Sequence, residues 1–345
     1  MTTGERASDR LWAPSDFRPA LRPALARLGA RARLDEPLGA LTTYRVGGNA
    51  AVLVDVQNEE DLREVRDVLS GVPLGRVPVL VLGKGSNLLV ADEGFPGLVV
   101  RLGGALGGLV VPDVAAPCAE VPGAEVLVRA GGAMGLPVLA RRTVDAGLRG
   151  MEWAVGIPGT VGGALKMNAG GHGADTASCL VRYRFFDLAG TSEGDADAAR
   201  LRLGYRTSTL GDAEVVVWAE FALRRGDAEK GKALLSEIVR WRREHQPGGS
   251  NAGSVFANPP GDSAGRLVEA VGLKGFRLGS ARVSEKHANF IQADDGGKAA
   301  DVVALMAHVR ESVLAATGVL LRPEVKLVGF DRDVFGDEGT GAAGE

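Results

Sequence analysis

Gly156-Ile-Pro-Gly-Thr-Val-Gly-Gly-Ala-Leu-Lys-Met-Asn-Ala-Gly-Gly-His-Gly173 holds seven glycines in eighteen residues. Ile157, Val161, Leu165 and Met167 are interleaved with them, so the stretch reads as main chain fitted closely against something. Glycine permits such an approach and also positive φ. Pro158 fixes one turn, Thr160 can cap or donate, and successive N–H groups can form a nest that holds phosphate. A glycine-rich surface loop is the alternative, but a loop of that kind carries more Ser, Asp and Lys and fewer aliphatics.

A second glycine turn lies upstream. Val79-Leu-Val-Leu82 is a short apolar run that ends in Gly83-Lys-Gly-Ser-Asn87 and resumes as Leu88-Leu-Val90, a strand, tight polar turn and strand. Two such turns, each offering N–H groups and a hydroxyl, suggest the two halves of a diphosphate site. That narrows the ligand to a dinucleotide or a nucleotide-sugar.

Composition sets the outer limits. The chain has 345 residues, enough for two or three domains with sizeable cores. Its net charge of −3 offers no broad basic field for nucleic acid. Cys118 and Cys179 are the only cysteines, which leaves no disulfide framework and suits a reducing cytosol. The amino terminus lacks an apolar export core, and no apolar run approaches the roughly 18 residues of a membrane span. His172, His245, His287 and His308 have no zinc-like spacing, so no metal is expected. Three literal signatures fail on context. Gly339-Thr-Gly-Ala-Ala-Gly344 ends the chain with no strand immediately before it, and Gly226-Asp-Ala-Glu-Lys-Gly-Lys232 has Ala233 where a P-loop needs a hydroxyl. Gly261-Asp-Ser-Ala-Gly265 follows Asn258-Pro-Pro260 instead of a strand, so Ser263 reads as a helix N-cap.

Along the chain, strands are expected at 51–56, 79–82, 97–102, 125–129, 181–187, 214–223 and 325–328, with strand-like pieces at 276–278 and 288–292. Helices are expected at 59–69, capped by Asn58, and at 136–146, 228–244, 264–271 and 299–316. Residues 1–33, rich in Arg, Ala, Pro and Leu, read as a poorly ordered extension, and 331–345 as a disordered acidic, Gly/Ala-rich tail.

The glycine turns belong to a longer ordered set. Leu82-Gly-Lys-Gly-Ser-Asn-Leu-Leu-Val90 and Gly156-Ile-Pro-Gly-Thr-Val-Gly-Gly-Ala164 with Asn168-Ala-Gly170 are followed by Gly204-Tyr-Arg-Thr-Ser208, Asn251-Ala-Gly-Ser-Val-Phe-Ala-Asn-Pro259 and Arg322-Pro-Glu-Val325. Together, over about residues 35 to 330, they resemble the UDP-N-acetylenolpyruvoylglucosamine reductase (UDP-N-acetylmuramate dehydrogenase) family, whose FAD fold is of the p-cresol-methylhydroxylase type. The resemblance implies an α+β protein, a two-part FAD-binding module followed by a C-terminal α+β substrate-binding domain. Its segments would be FAD-binding subdomain 1 at 34–96, FAD-binding subdomain 2 at 97–225, the substrate-binding domain at 226–322 and a strand completing the site at 323–330.

The same resemblance implies the chemistry. The enolpyruvyl ether of UDP-N-acetylglucosamine enolpyruvate would be reduced to UDP-N-acetylmuramate with NADPH as reductant and noncovalent FAD as relay through N5, in cytoplasmic peptidoglycan precursor synthesis. Cell-wall biogenesis, cell shape and cell division are the processes this serves. Arg206 matches the residue that polarises the substrate carboxylate, Glu324 its partner at the developing enediol, and Ser254 the proton donor. Taken singly, Ser254 could cap, Arg206 could form a surface ion pair and Glu324 could be a solvated strand residue. Their joint occurrence in the family's order favours catalysis.

Cofactor contacts carried over by match are Tyr44, Arg45, Gly47, Gly83, Lys84, Gly85, Ser86, Asn87, Gly156, Ile157, Pro158, Gly159, Thr160, Gly163, Asn168, Ala169 and Gly170. Tyr205 and Arg242 are implied on the substrate side, although Arg240 and Arg243 leave the register of the phosphate-binding arginine open. Only 47 residues separate Arg206 from Ser254, which places the chain in the family's shorter subgroup. Gly171-His-Gly173 stands where members often have Ala-Tyr-Gly, so the role of His172 is open. An oxidase on the same FAD fold and a nucleotide-sugar sensor are the competing readings. The first leaves the motifs at Ser254 and Glu324 without a reason, and the second predicts a broken catalytic position. The sequence does not fix an oligomeric state; a monomer is the simplest expectation.

Overall fold

The computed structural model describes residues 25–71, 77–112, 124–331 and 334–335. Cys118, the Gly339–Gly344 motif and most of the expected tail and extension lie outside the described residues. In chain order the regular elements begin with β1 (Ala32–Pro37), β2 (Asn49–Val56), α1 (Glu59–Ser70), β3 (Val79–Leu82), β4 (Leu88–Val90) and β5 (Phe95–Leu102). Next come β6 (Leu109–Val110), β7 (Glu125–Gly131), α2 (Leu136–Asp145), β8 (Leu148–Arg149), α3 (Val161–Met167), β9 (Gly170–Gly171), β10 (Ala174–Asp175), β11 (Leu180–Asp187), β12 (Glu193–Asp197) and β13 (Glu214–Arg225). The last are α4 (Ala228–His245), α5 (Ala264–Ala270), β14 (Arg277–Leu278), β15 (Ala281–Val283), β16 (Ile291–Ala293), α6 (Ala299–Thr317) and β17 (Lys326–Val328).

Contacts divide these elements into two units. The first comprises residues up to Glu36, Ala50–Lys84 and Pro96–Arg242; the second comprises Pro37–Asn49, Gly85–Phe95 and Arg243 onward. The first unit carries a four-stranded sheet in the order β1-β2-β5-β3 and a larger sheet that runs β12-β11-β13-β7-β6, with β8 against β13. β3 runs parallel to β5, while β11, β13 and β7 pair antiparallel. One core, built on Val52, Val54, Leu62, Val65 and Leu98, lies under α1, and the other gathers Leu139, Trp153, Leu165, Tyr183, Phe221 and Ile238.

Helix α1 starts as its sequence predicts. The Asn58 side chain accepts the Asp61 N–H, and Asp61 in turn accepts the Gln57 N–H at 2.7 Å and pairs with Arg31. Arg31 also holds Glu64, and Arg33 bonds Asp55 at 2.8 Å. Residues 25–33, assigned by sequence to a poorly ordered extension, are therefore folded. Leu25 and Leu28 are buried beside α1, and Arg31 and Arg33 have carboxylate partners.

The second unit packs α5 and α6 with the three-stranded sheet β14-β15-β16 around Val268, Val283, Leu305, Met306 and Val309. It also contains the parallel pair β4 and β17, in register Leu88 to Lys326 through Val90 to Val328. This pairing is why residues 85–95, near the start of the chain, belong with the carboxy-terminal third. Conversely, α4 as far as Arg242 belongs to the first unit, because Leu235 and Ile238 are part of its core. The sequence-ordered segments 34–96 and 226–322 thus each contribute to both units.

No side chain of its own caps α6, since its N-cap residue is Lys298. Asp92 supplies the acceptors from elsewhere in the unit: Oδ1 takes the Ala299 N–H at 2.8 Å and Oδ2 the Ala300 N–H at 2.9 Å. Asp92→Ala is expected to lower stability by about 1 kcal/mol through loss of this cap, read as a shifted denaturation midpoint with unchanged m-value.

Candidate active site

In the first unit, the two glycine turns meet. A Cβ placed on Gly83 would lie 2.5 Å from Thr160 Oγ1 and 3.2 Å from its Cγ2, so only glycine lets the turn after β3 close on the long glycine stretch. Thr160 is buried and caps α3, its Oγ1 accepting the Gly163 N–H at 3.3 Å. The sequence reading placed no helix here. Two glycines within seven residues hide it, while the Thr160 cap and a left-handed Asn168 at its end define it. Main-chain bonds stitch the stretch down, from Leu136 N–H to Gly159 O, Val161 N–H to Met134 O and Gly162 N–H to Gly132 O, at 2.8–3.0 Å.

Asn168 has φ of 38°, and its side-chain amide is occupied by protein: Nδ2 donates to Asp175 Oδ2 and to Gly204 O at 2.9 Å, and Oδ1 accepts the Ala177 N–H. It is thereby a strut between the glycine stretch and the next motif. Gly204 and Thr207 exchange N–H···O bonds of 3.1 and 3.3 Å around Tyr205-Arg206, and the Ser208 hydroxyl donates to Lys166 O at 2.9 Å. Arg206 sits at φ of 58°, and its guanidinium carbon lies 5.6 Å from the centroid of the exposed Tyr205 ring. Of the three arginines at the end of α4, Arg242 is half-buried, and its Cδ would meet a Cβ on Gly156 at 3.1 Å; Arg240 and Arg243 are exposed.

In the second unit, Tyr44 is fully buried, and burial raises its phenol above the ordinary value. Neither its hydroxyl nor Thr43 Oγ1 has a hydrogen-bond partner among the described residues. Exposed Arg45 takes φ of 56°, with its N–H on Thr42 Oγ1. Gly47 approaches Val90 O so closely that a Cβ would stand 2.3 Å from it, and Gly85 does the same to Leu41 O at 2.6 Å. Thr43 N–H donates to Gly85 O, which locks the two segments together.

The same unit brings Ser254, Glu324 and Asn87 into one neighbourhood. Asn251 makes a local turn, its Oδ1 accepting the Gly253 N–H and its Nδ2 donating to the carbonyls of Gly248 and Gly249. Gly253 then takes φ of 79°, and Ser254 follows. The next residue, Val255, accepts the Glu324 N–H at 2.7 Å, and Asn87 Nδ2 donates to Glu324 O at 3.1 Å. Sequence reasoning missed Asn289, which fixes this arrangement from beneath. It is buried, its carbonyl O accepts the Val255 N–H, and its side-chain amide accepts from Phe256 N–H and donates to Phe256 O. A lone asparagine within Ala288-Asn-Phe-Ile291 was the available signal.

Whether these residues fit a flavin dinucleotide can be asked of the structure itself. Lys84, Gly85 and Ser86 donate their N–H groups to no carbonyl among the described residues, and neither do Gly159 and Thr160. Within the second unit, the Tyr44 and Thr43 hydroxyls, without a partner among the described residues, suit a polar ligand such as a dinucleotide. Among the described residues no group of three or more His, Cys, Asp or Glu is placed to hold a metal ion, and no helix is long and apolar enough to cross a membrane.

Comparison with known proteins bears on the same point. An FAD binding domain model matches residues 50–193 and, with the reductase relatives that follow, defines the chain as an FAD-dependent oxidoreductase. Residues 245–328 match the C-terminal domain of UDP-N-acetylenolpyruvoylglucosamine reductase. A protein of that name from Synechococcus sp. (strain WH7803) is 42% identical over 300 residues, 86% of this chain and 92% of the relative. One from Rubrobacter xylanophilus is 40% identical over 311 residues, 88% and 98% of the two chains. The crystal structure of the Thermus caldophilus UDP-N-acetylenolpyruvylglucosamine reductase superposes with a TM-score of 0.70 at 34% identity, covering 86% of this chain and 98% of that one. The chain belongs to the UDP-N-acetylenolpyruvoylglucosamine reductase family.

Proposed function

We propose that the protein reduces UDP-N-acetylglucosamine enolpyruvate to UDP-N-acetylmuramate with NADPH, in cytoplasmic peptidoglycan precursor synthesis. The observation that carries this reading is the tie from Val255 to Glu324 and from Glu324 to Asn87, which gathers a hydroxyl, a carboxyl group and the end of a glycine turn from three remote motifs. Residues 34–225 are proposed as the main source of FAD contacts and 226–322 as the substrate-binding segment.

When bound, FAD supplies a two-electron carrier between NADPH and the enolpyruvyl ether. Tyr44, Arg45, Gly47, Gly83 to Asn87, Gly156 to Thr160, Gly163 and the main chain of Asn168 to Gly170 would hold it, with N–H groups of the two glycine turns toward its phosphates. Arg242 takes the substrate phosphate, and Tyr205 also contacts the substrate. Arg206, a fixed planar cation, binds the substrate carboxylate and stabilises the negative charge that grows on it as the double bond is reduced. Glu324, with its carboxyl group protonated, donates a hydrogen bond to the same oxygens. Ser254 delivers a proton to the carbon beside the carboxylate, completing the lactyl ether.

The test is a preparation and a cuvette. The purified protein is expected to be yellow, to release FAD on denaturation, and to bleach with NADPH in the absence of oxygen. Colour should return when the enolpyruvyl nucleotide is added. A colourless protein ends the flavoenzyme reading, and bleaching without reoxidation by that substrate ends the substrate assignment.

A further inference from the structure

We propose that His172 is a second, proton-linked cation of the substrate diphosphate site, charging as the anion binds beside Arg242. The inference rests on the assignment of Arg242 to the substrate phosphate.

The His172 and Trp241 rings meet edge to face, with centroids 5.2 Å apart and planes at 87°. A Cβ built on Gly156 would lie 3.1 Å from Arg242 Cδ and 3.7 Å from His172 Nε2, so the imidazole and the arginine stem flank the same point of the glycine stretch. His172 is held there at φ of 53°, and Gly173 follows at 83°. Histidine is among the non-glycine residues that adopt this left-handed conformation most readily.

The charges fix the direction of the effect. Burial against its neighbours holds the His172 imidazole below its ordinary value, the Arg242 cation beside it acts in the same direction, and Glu237 opposes them. Among the described residues, Arg242 and Glu237, both on α4, are the charged groups that act on it. A diphosphate brings two negative charges, offsets the repulsion from Arg242 and raises the histidine's affinity for a proton. Binding therefore takes up a proton at pH values between the free value, which lies below 6.5, and the higher value of the complex. Affinity rises as pH falls through that window and is flat above it.

The experiment uses the FAD-loaded protein and UDP-N-acetylglucosamine, whose diphosphate diester keeps both charges across the range. Calorimetric titrations from about pH 8 to about pH 5.5 should show the wild type tightening by about three- to tenfold, with proton uptake read from the buffer dependence of the heat. His172→Asn, which tolerates the left-handed backbone and does not ionise, should bind with an affinity nearly independent of pH. The proton NMR midpoint of His172 should move up when the nucleotide-sugar is added. A His172→Asn protein that keeps the full tightening overturns the proposal, as does a variant weakened by the same factor at every pH, which marks a packing role. Arg242→Gln separates this proposal from the assignment beneath it. Unchanged affinity at about pH 8 removes Arg242 from the phosphate, and this inference with it. Weakened binding there, together with a pH dependence that survives in His172→Asn, sinks this inference alone.

Discussion

Replacing Ser254 by alanine is expected to leave bleaching by NADPH close to the unsubstituted rate and to slow the return of colour with the enolpyruvyl nucleotide by about 10²–10⁴-fold, the range that general-acid groups supply. The asymmetry follows from where the proton is needed. Only the substrate half-reaction places carbanion character beside a carboxylate, so a hydroxyl that serves it has nothing to do in the nicotinamide half-reaction. The substitution is also structurally quiet. The turn ahead of Ser254 is built by Asn251 and Gly253, and the bonds behind it belong to Val255, Asn289 and Glu324. Stopped-flow absorbance on the two half-reactions decides the matter. Equal losses in both remove Ser254 from the proton-donor role, and no loss in either assigns the proton elsewhere.

What the sequence disclosed and what it hid divide along a physical line. Strands such as Val79–Leu82 and the long β13, and helices α1, α4 and α6, were legible because apolar periodicity and caps such as Asn58 and Ser263 act over a few residues. Helix α3 was not, because its stability comes from Thr160 and from packing on Gly132 and Met134, which no local pattern contains. The pairing of β4 with β17 was equally invisible, since two three-residue strands more than two hundred positions apart carry no register signal of their own. For the proposed site, resemblance names the motif residues, whereas Asn289 and the strut role of Asn168 appear only once long-range hydrogen bonds are known. Asn168 shows the difference well: the match names it beside the cofactor, and only the structure adds that its side chain ties the glycine stretch to Gly204.

Arg206→Gly is expected to lower kcat/KM for the enolpyruvyl nucleotide by about 10²–10³-fold, the loss typical of removing one group that stabilises a developing oxyanion. The same change should leave the melting temperature unaltered or raise it slightly. Ordinary arginine deletions do not behave so, and the reason is the backbone. Arg206 is the third residue of the Gly204–Thr207 turn and holds φ of 58° there, a position that glycine or asparagine fills without strain and that costs other residues about 1–3 kcal/mol. Glycine relieves that strain while deleting the cation and its contacts, so the loss of catalysis far exceeds any change in stability. Arg206→Lys makes the complementary test: it keeps the charge and the strain but loses the planar fork, and should recover only part of the activity with no gain in stability. If Arg206→Gly is as active as the wild type, the arginine is a surface residue on a tight turn. If it is inactive and also markedly less stable, Arg206 supports the fold, and the strain was not retained for chemistry.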